Sequence, residues 1–282
     1  TPAVAKSQPS NWTFNAELSS EFDSNLSKAF FRRDEVADGH LSVHADAQYR
    51  WTPSIMQLIT FGSFVQAKQF QTVTSQNEVT FGAEASYSWQ NALGFAAPFY
   101  RTQLSIKRLT VDDDNRSADV VDFQAFATRR ITTMFTGRLG YHYTQQDAEM
   151  ALFDTSQHRV FANLDMTWSQ KLLSYAVVSY IDGDIPSSAQ TMFCNGLGAD
   201  DIWPLIRESD NIKPDQSFNQ HFCGSWFTYK MHAQTLTGTI GLNYAINSKY
   251  SVDISATGVN SNVSDYIDYQ RTILKASILM RF

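Results

Sequence analysis

No stretch of this sequence approaches the roughly 18 consecutive apolar residues that a membrane-crossing helix needs. The longest mostly apolar patch, Ala92 to Phe99, is broken by Gly94 and Pro98. Helical spacing at i, i+3 and i+4 is nearly absent along the chain. Charge is scarce, at 18% Asp, Glu, Lys and Arg, where a soluble domain carries about 25%. A basic surplus is missing: the net charge is −6, which argues against nucleic acid as a partner. Thr1 is followed by neither a basic n-region nor an apolar h-region, so the chain reads as soluble or as a mature exported product. Cysteine is confined to Cys194 and Cys223. An exported chain is expected to join them. That disulfide would close a loop of about 30 residues and add roughly 3 kcal/mol by the chain-entropy estimate. No G-x-S-x-G nucleophile motif is present, and no cofactor is expected.

What is present is alternation with a period of two. In 40–51, Leu41, Val43, Ala45, Ala47, Tyr49 and Trp51 share one face, opposite His40, Ser42, His44, Asp46, Gln48 and Arg50. The same pattern recurs in 78–90 and 159–168. It predicts an all-β fold with strands near 11–23, 39–51, 55–69, 78–90, 94–110, 118–130, 133–146, 157–169, 171–182, 228–246, 249–259 and 267–282. Soluble strands are mostly about five or six residues; these are membrane length. In 55–69 and 171–182 both faces are fairly apolar, so their orientation stays open.

The connections are expected to alternate. Short turns fall at 52–54, 91–93, 131–132, 169–170 and 247–248, and longer polar links at 24–38, 70–77, 111–117, 147–156, 183–227 and 260–266. Short periplasmic turns and long extracellular loops characterise transmembrane barrels. Trp12, Trp51, Trp89, Trp168, Tyr244 and Phe282 all fall beside the short-turn ends. Such a girdle places amphipathic rings at one membrane interface. The expectation is an antiparallel up-and-down barrel of about 12 strands over 11–282, preceded by a periplasmic tail at 1–10. A soluble exported β-sandwich is the competing fold.

The final segment alternates Leu274, Ala276, Ile278 and Met280 and ends in Phe282. This resembles the C-terminal strand of Gram-negative outer-membrane proteins. The resemblance implies a bacterial outer-membrane location and recognition by the barrel-assembly machinery. Lipid and lipopolysaccharide are then expected partners, and a protein partner in a larger assembly is a further one. No narrower family emerges. Phospholipase barrels of similar size carry His-x-Ser-Asn-Gly, whereas His142 is followed by Tyr143-Thr144-Gln145-Gln146. No pattern of outer-membrane proteases or lipid A deacylases is seen either.

If the apolar faces meet lipid, the polar faces line a lumen. The lumen candidates are Glu17, His44, Asp46, Arg50, Glu84, Arg101, Lys107, Asp122, Arg138, His142, Arg159, Asp165, Asp253, Arg271 and Lys275. Such mixed charge fits two arrangements: ion pairs that close the lumen, or a selectivity filter in a narrow pore. Much of the acidic surplus lies in the loops, so the wall is balanced or slightly basic and any selectivity leans to anions. Asp112, Asp114 and Asp119 form a weak candidate for calcium. Three functions remain: a diffusion channel for small hydrophilic solutes, a structural, secretion or assembly component, and an integral-membrane hydrolase.

Overall fold

The computed structural model describes residues 11–192, 211–264 and 267–282. Alternating apolar residues become a ring of long strands: β1 (Trp12–Asp23), β2 (Asp38–Ser54), β3 (Gln57–Phe70), β4 (Glu78–Gln90), β5 (Phe99–Val111), β6 (Ala118–Arg130), β7 (Phe135–Ala148), β8 (Thr155–Thr167), β9 (Leu172–Met192), β11 (Ser225–Ala245), β12 (Tyr250–Ser264) and β13 (Ile267–Arg281). The three-residue β10 (Ile212–Pro214) pairs only with the outer end of β11. Each ring strand runs antiparallel to its sequence neighbours, and β1 pairs with β13 from Asn15↔Arg281 to Asp23↔Ile273. Phe282 completes this seam: its N–H donates to the Phe14 carbonyl at 2.9 Å. The chain is a closed 12-stranded antiparallel barrel.

Its exterior is apolar. Leu18, Val43, Phe61, Phe81, Ile106, Leu139, Val160, Ile240, Ile254 and Leu274 all point outward and are exposed. A strand ring with this exterior is suited to lipid, where every backbone polar group must be paired within the protein. Trp12, Trp51, Trp168, Tyr244 and Phe282 are exposed at the short-turn end, and Trp89 stacks between Tyr87 and Tyr100 with centroids 5.4 and 5.3 Å away. Among the described residues, no helix is long and apolar enough to cross a membrane.

The two strands of uncertain orientation are settled by register. Phe61 and Val65 of β3 point outward while Leu58 and Phe64 point inward. In β9, Val178 and Tyr180 point outward and Val177 and Ile181 inward. Other expectations are corrected. The long link expected at 183–227 is largely strand at its start, because β9 continues to Met192 and β11 begins at Ser225. The link expected at 260–266 shrinks to two residues between β12 and β13, and the turn expected at 91–93 widens to 91–98. For the two links at the long-loop end the physical reason is shared. Above the bilayer a strand has no lipid on either side, so it loses the alternation that marks it in sequence while keeping its ladder. Pro186 fits there because β8 stops pairing at Gly183. That leaves Pro186, which lacks an N–H, facing an edge with no further strand.

Large inward rings lie over glycines of the neighbouring strand. Phe64 faces Gly82, Phe126 and Phe161 both face Gly140, and Tyr175 faces Gly241. A Cβ on Gly140 would sit 2.5 Å from the Phe161 ring and 2.7 Å from Phe126. The missing side chains let the rings lie flat against the wall instead of filling the centre. Gly140→Leu should therefore cost about 1–3 kcal/mol through overpacking. Gly258→Leu, where an added Cβ meets nothing within 4 Å, should be near neutral. Urea unfolding of both variants, followed by heat-modifiable gel migration, checks the difference.

Candidate functional site

The inward face carries the candidate charges in small sets fixed by register. Asp122 of β6 accepts from Lys107 of β5 at 2.7 Å, from Thr144 at 2.7 Å and lies 3.2 Å from His142 of β7. Glu17 pairs with Lys275 at 2.7 Å, and Asp23 with Arg271 at 2.5 Å, both across the β1–β13 seam. Asp46 lies 3.6 Å from His44 and accepts from Asn15 at 2.8 Å. Asp253 accepts from Tyr175 at 2.8 Å and Asn243 at 3.2 Å. Arg159 donates to Ser179 at 3.0 and 2.7 Å. Asp165 faces Thr136 and Tyr175 in register. Glu84 accepts from Gln103 at 2.7 Å and Gln48 at 3.5 Å. Arg50, Arg101 and Arg138, like Arg159, have no carboxylate oxygen in ion-pair range among the described residues. Arg138 instead lies over the Phe126 ring, 4.9 Å from its centroid.

These side chains are inside the ring yet reachable by water. Lys107 keeps 31% of its side-chain surface and Lys275 keeps 36%. Apart from Phe161, whose ring lies on the inner wall, the strongly buried apolar residues are elsewhere. Val36, Val73, Phe218 and Trp226 pack together with Leu26 and Phe222, and all come from the long-loop end. The hydrophobic core of this protein is thus a cap at one mouth of the barrel.

The cap is organised by a short helix, α1 (Gln216–His221), carried on the connection between β9 and β11. In the ring, β3 and β4 lie opposite β9 and β11, with four strands between them on either side. The helix nevertheless meets the β3–β4 loop. The Ser75 N–H donates to His221 Nε2 at 3.3 Å, Ser75 Oγ donates to the Ser217 carbonyl at 3.3 Å, and Val73 packs on the Phe218 cluster. Loops rooted in opposite walls therefore meet over the mouth.

A buried ionic knot fastens it. Asp215 caps α1 by accepting the Phe218 N–H at 3.1 Å, takes Ser188 Oγ at 2.5 Å and the Thr228 hydroxyl, and pairs with Arg116 of the β5–β6 loop at 2.9 Å. Arg116 also reaches Asp113 at 3.3 Å and lies 4.3 Å over the Phe153 ring. Ser217 Oγ donates to Asp113 at 2.8 Å. Burial alone would raise the Asp215 carboxyl, but Arg116 and the three donors hold it below the ordinary carboxylate range. Beside the knot, burial pushes the Lys28 ammonium down to about 7, with Arg271 and Arg116 adding to the effect and Asp23 opposing it.

Sequence reading missed this knot. Its one local signal was Asp215 three residues before Phe218, the N-cap spacing. The pairing of Asp215 with Arg116 is separated by 99 positions and has no sequence signature. The weak calcium set is not gathered: Asp119 pairs with Arg108 at 3.3 Å and Asp112 accepts from Asn77 at 3.2 Å. Among the described residues no three His, Cys, Asp or Glu form a metal-sized group. Cys194 and the tail at 1–10 lie outside the described residues.

Asp215→Asn should loosen the cap while leaving the barrel closed, since it leaves Arg116 with Asp113 as its remaining carboxylate and weakens a charge-assisted buried contact, at a cost of about 1–3 kcal/mol. Because the Asp215 pKa is depressed in the folded cap, its stabilising contribution is present above the ordinary carboxylate value of about 4. It is lost as pH falls through the depressed pKa. Hydrogen exchange at the amides of 217–219, corrected for intrinsic rates, should show protection held at pH 5 and lost only in stronger acid. The variant should lack that protection at pH 7.

No family model matches this chain, and no curated protein matches it. Solved structures do. The COG4313 outer membrane channel from Pseudomonas putida F1 superposes with a TM-score of 0.62 at 9% identity, covering 100% of this chain and 99% of that one. The KdgM porin gives 0.48 at 9% identity over 95% and 99%, and the NanC porin 0.46 at 7% over 94% and 98%. At these identities the likeness concerns the fold, which is that of the bacterial outer-membrane β-barrels.

Proposed function

We propose that this chain is a narrow outer-membrane channel for small hydrophilic solutes, with a mixed-charge lumen that leans weakly to anions and a cap that keeps resting conductance low. The observation that carries this reading is the inward face: wall charges that keep contact with water, and aromatic rings laid flat over glycines. A ring of 12 strands is wider than the side-chain-filled eight-stranded type. A lumen built only to be closed would gain from letting those rings fill the centre. The reading is non-enzymatic. It includes lipid and lipopolysaccharide around the barrel, and assembly through the C-terminal strand ending in Phe282. It also includes a Cys194–Cys223 staple within the loop that carries α1, which would appear as a gel-mobility change on reduction.

A second reading is favoured by one observation, the apolar kernel around Phe218 and Trp226. A firmly packed mouth suits a barrel that anchors or exports a partner. Planar-bilayer recording separates the two. The channel reading expects small, infrequent openings from the native chain and larger, more frequent ones from Asp215→Asn. Silence from both proteins, across salts and voltages, would remove the channel reading. Co-purification of one stoichiometric protein from native membranes would then support the anchor.

A further inference from the structure

Three lumen cations are neutralised by a carboxylate close by, Lys107 by Asp122, Lys275 by Glu17 and Arg271 by Asp23, and Arg159 is held by the Ser179 hydroxyl. The short-turn half of the lumen breaks that rule. Arg50, Arg101 and Arg138 come from β2, β5 and β7, and the charges of Arg50, Arg138 and Glu84 all act on Arg101. Glu84 is the carboxylate whose charge acts on Arg101, with Asp46 acting on Glu84 in turn, and its oxygens are already engaged by Gln103 and Gln48. Arg101 Nε is sealed from solvent and has no hydrogen-bond partner among the described residues. Phe126 faces Arg101 in register, and Arg138 lies over its ring. Phe126 thus neighbours Arg101 along the ladder and carries the Arg138 guanidinium over its ring, all three on the inward face.

Three like charges in a wall of low dielectric repel one another unless an anion lies among them. Guanidinium is the group whose planar fork matches a carboxylate or phosphate in bidentate fashion. We propose that Arg50, Arg101 and Arg138 form an oxyanion site within the lumen, and that the solute class is small organic acids bound through a carboxylate. This rests on the reading that the lumen conducts, and it adds the chemistry of what the lumen selects. The clamped pairs elsewhere in the wall then serve the fold, while these arginines serve the solute. Sharing the positive charge among three strands keeps the site shallow, so that a bound anion can leave toward either mouth.

The test uses the full chain in planar bilayers, with the Asp215→Asn background as a second carrier of current. Under a KCl gradient, the reversal potential should report anion preference. Succinate added from the short-turn side should block current, and inorganic phosphate should block less. Arg101→Gln and Arg138→Gln should each weaken succinate block about tenfold, the scale of one charge-assisted contact. The triple change with Arg50→Gln should abolish anion preference. Heat-modifiable migration shows which variants fold, and the single variants stand in if the triple does not. Succinate titration of the detergent-solubilised native chain by calorimetry reads binding without conduction. Succinate binding in that titration with no current from either carrier would overturn the channel reading and leave the site standing. Current with no anion preference, or block unchanged in both single variants, would overturn the site. Block by phosphate but not succinate would overturn the carboxylate assignment.

Discussion

Inside a bilayer the backbone has no water to bond, and the rest of this structure depends on that constraint. Every N–H and C=O at membrane depth must find a partner in the protein, and each one left unpaired costs several kcal/mol. A sheet meets the demand only by closing on itself. The seam between β1 and β13 is therefore as necessary as any hairpin, although its partners stand at opposite ends of the chain. The bond from Phe282 to Phe14 extends that seam to the last residue. Closure also fixes the side-chain pattern, since one face of every strand must then meet lipid and the other the lumen.

The inversion this produces shapes the interior. Apolar burial, which organises the centre of a soluble domain, is spent on the outside. The inner wall is left with polar groups that must satisfy one another at close range. It does so in local clusters that span two or three strands, such as Asp122 with Lys107 and His142. Glycine contributes by absence: Gly82, Gly140 and Gly241 make room for rings that would otherwise project inward. The lumen that remains is shaped as much by where side chains lie flat as by which ones are charged.

Only above the membrane does the protein pack as a soluble domain would. There β9 and β11 rise past the lipid, and loops from opposite walls meet over the mouth. The apolar kernel of Phe218, Trp226, Val73 and Val36 is closed around a buried charge network centred on Asp215 and Arg116. Burying such charges is costly unless each is paired and hydrogen-bonded. Here four donors serve one carboxylate, which makes the arrangement specific. A loop that merely drifted over the mouth would have no use for it.

The sequence by itself determined the barrel. Alternation across 40–51 and 78–90, and aromatics beside the short turns, follow from lipid on one side and water on the other. That is a local consequence of a global solvent, so each strand could be read alone. The same parity put Arg101 and Asp122 on the inner face. Where the bilayer ends the signal ends too, which is why the upper half of β9 and the first three residues of β11 read as loop. Tertiary structure alone decided which charges pair, which arginines are left without a carboxylate, and that α1 meets the loop from the opposite wall. Those contacts join positions as distant as Arg116 and Asp215, and no local pattern encodes a meeting that depends on the closure of the whole ring.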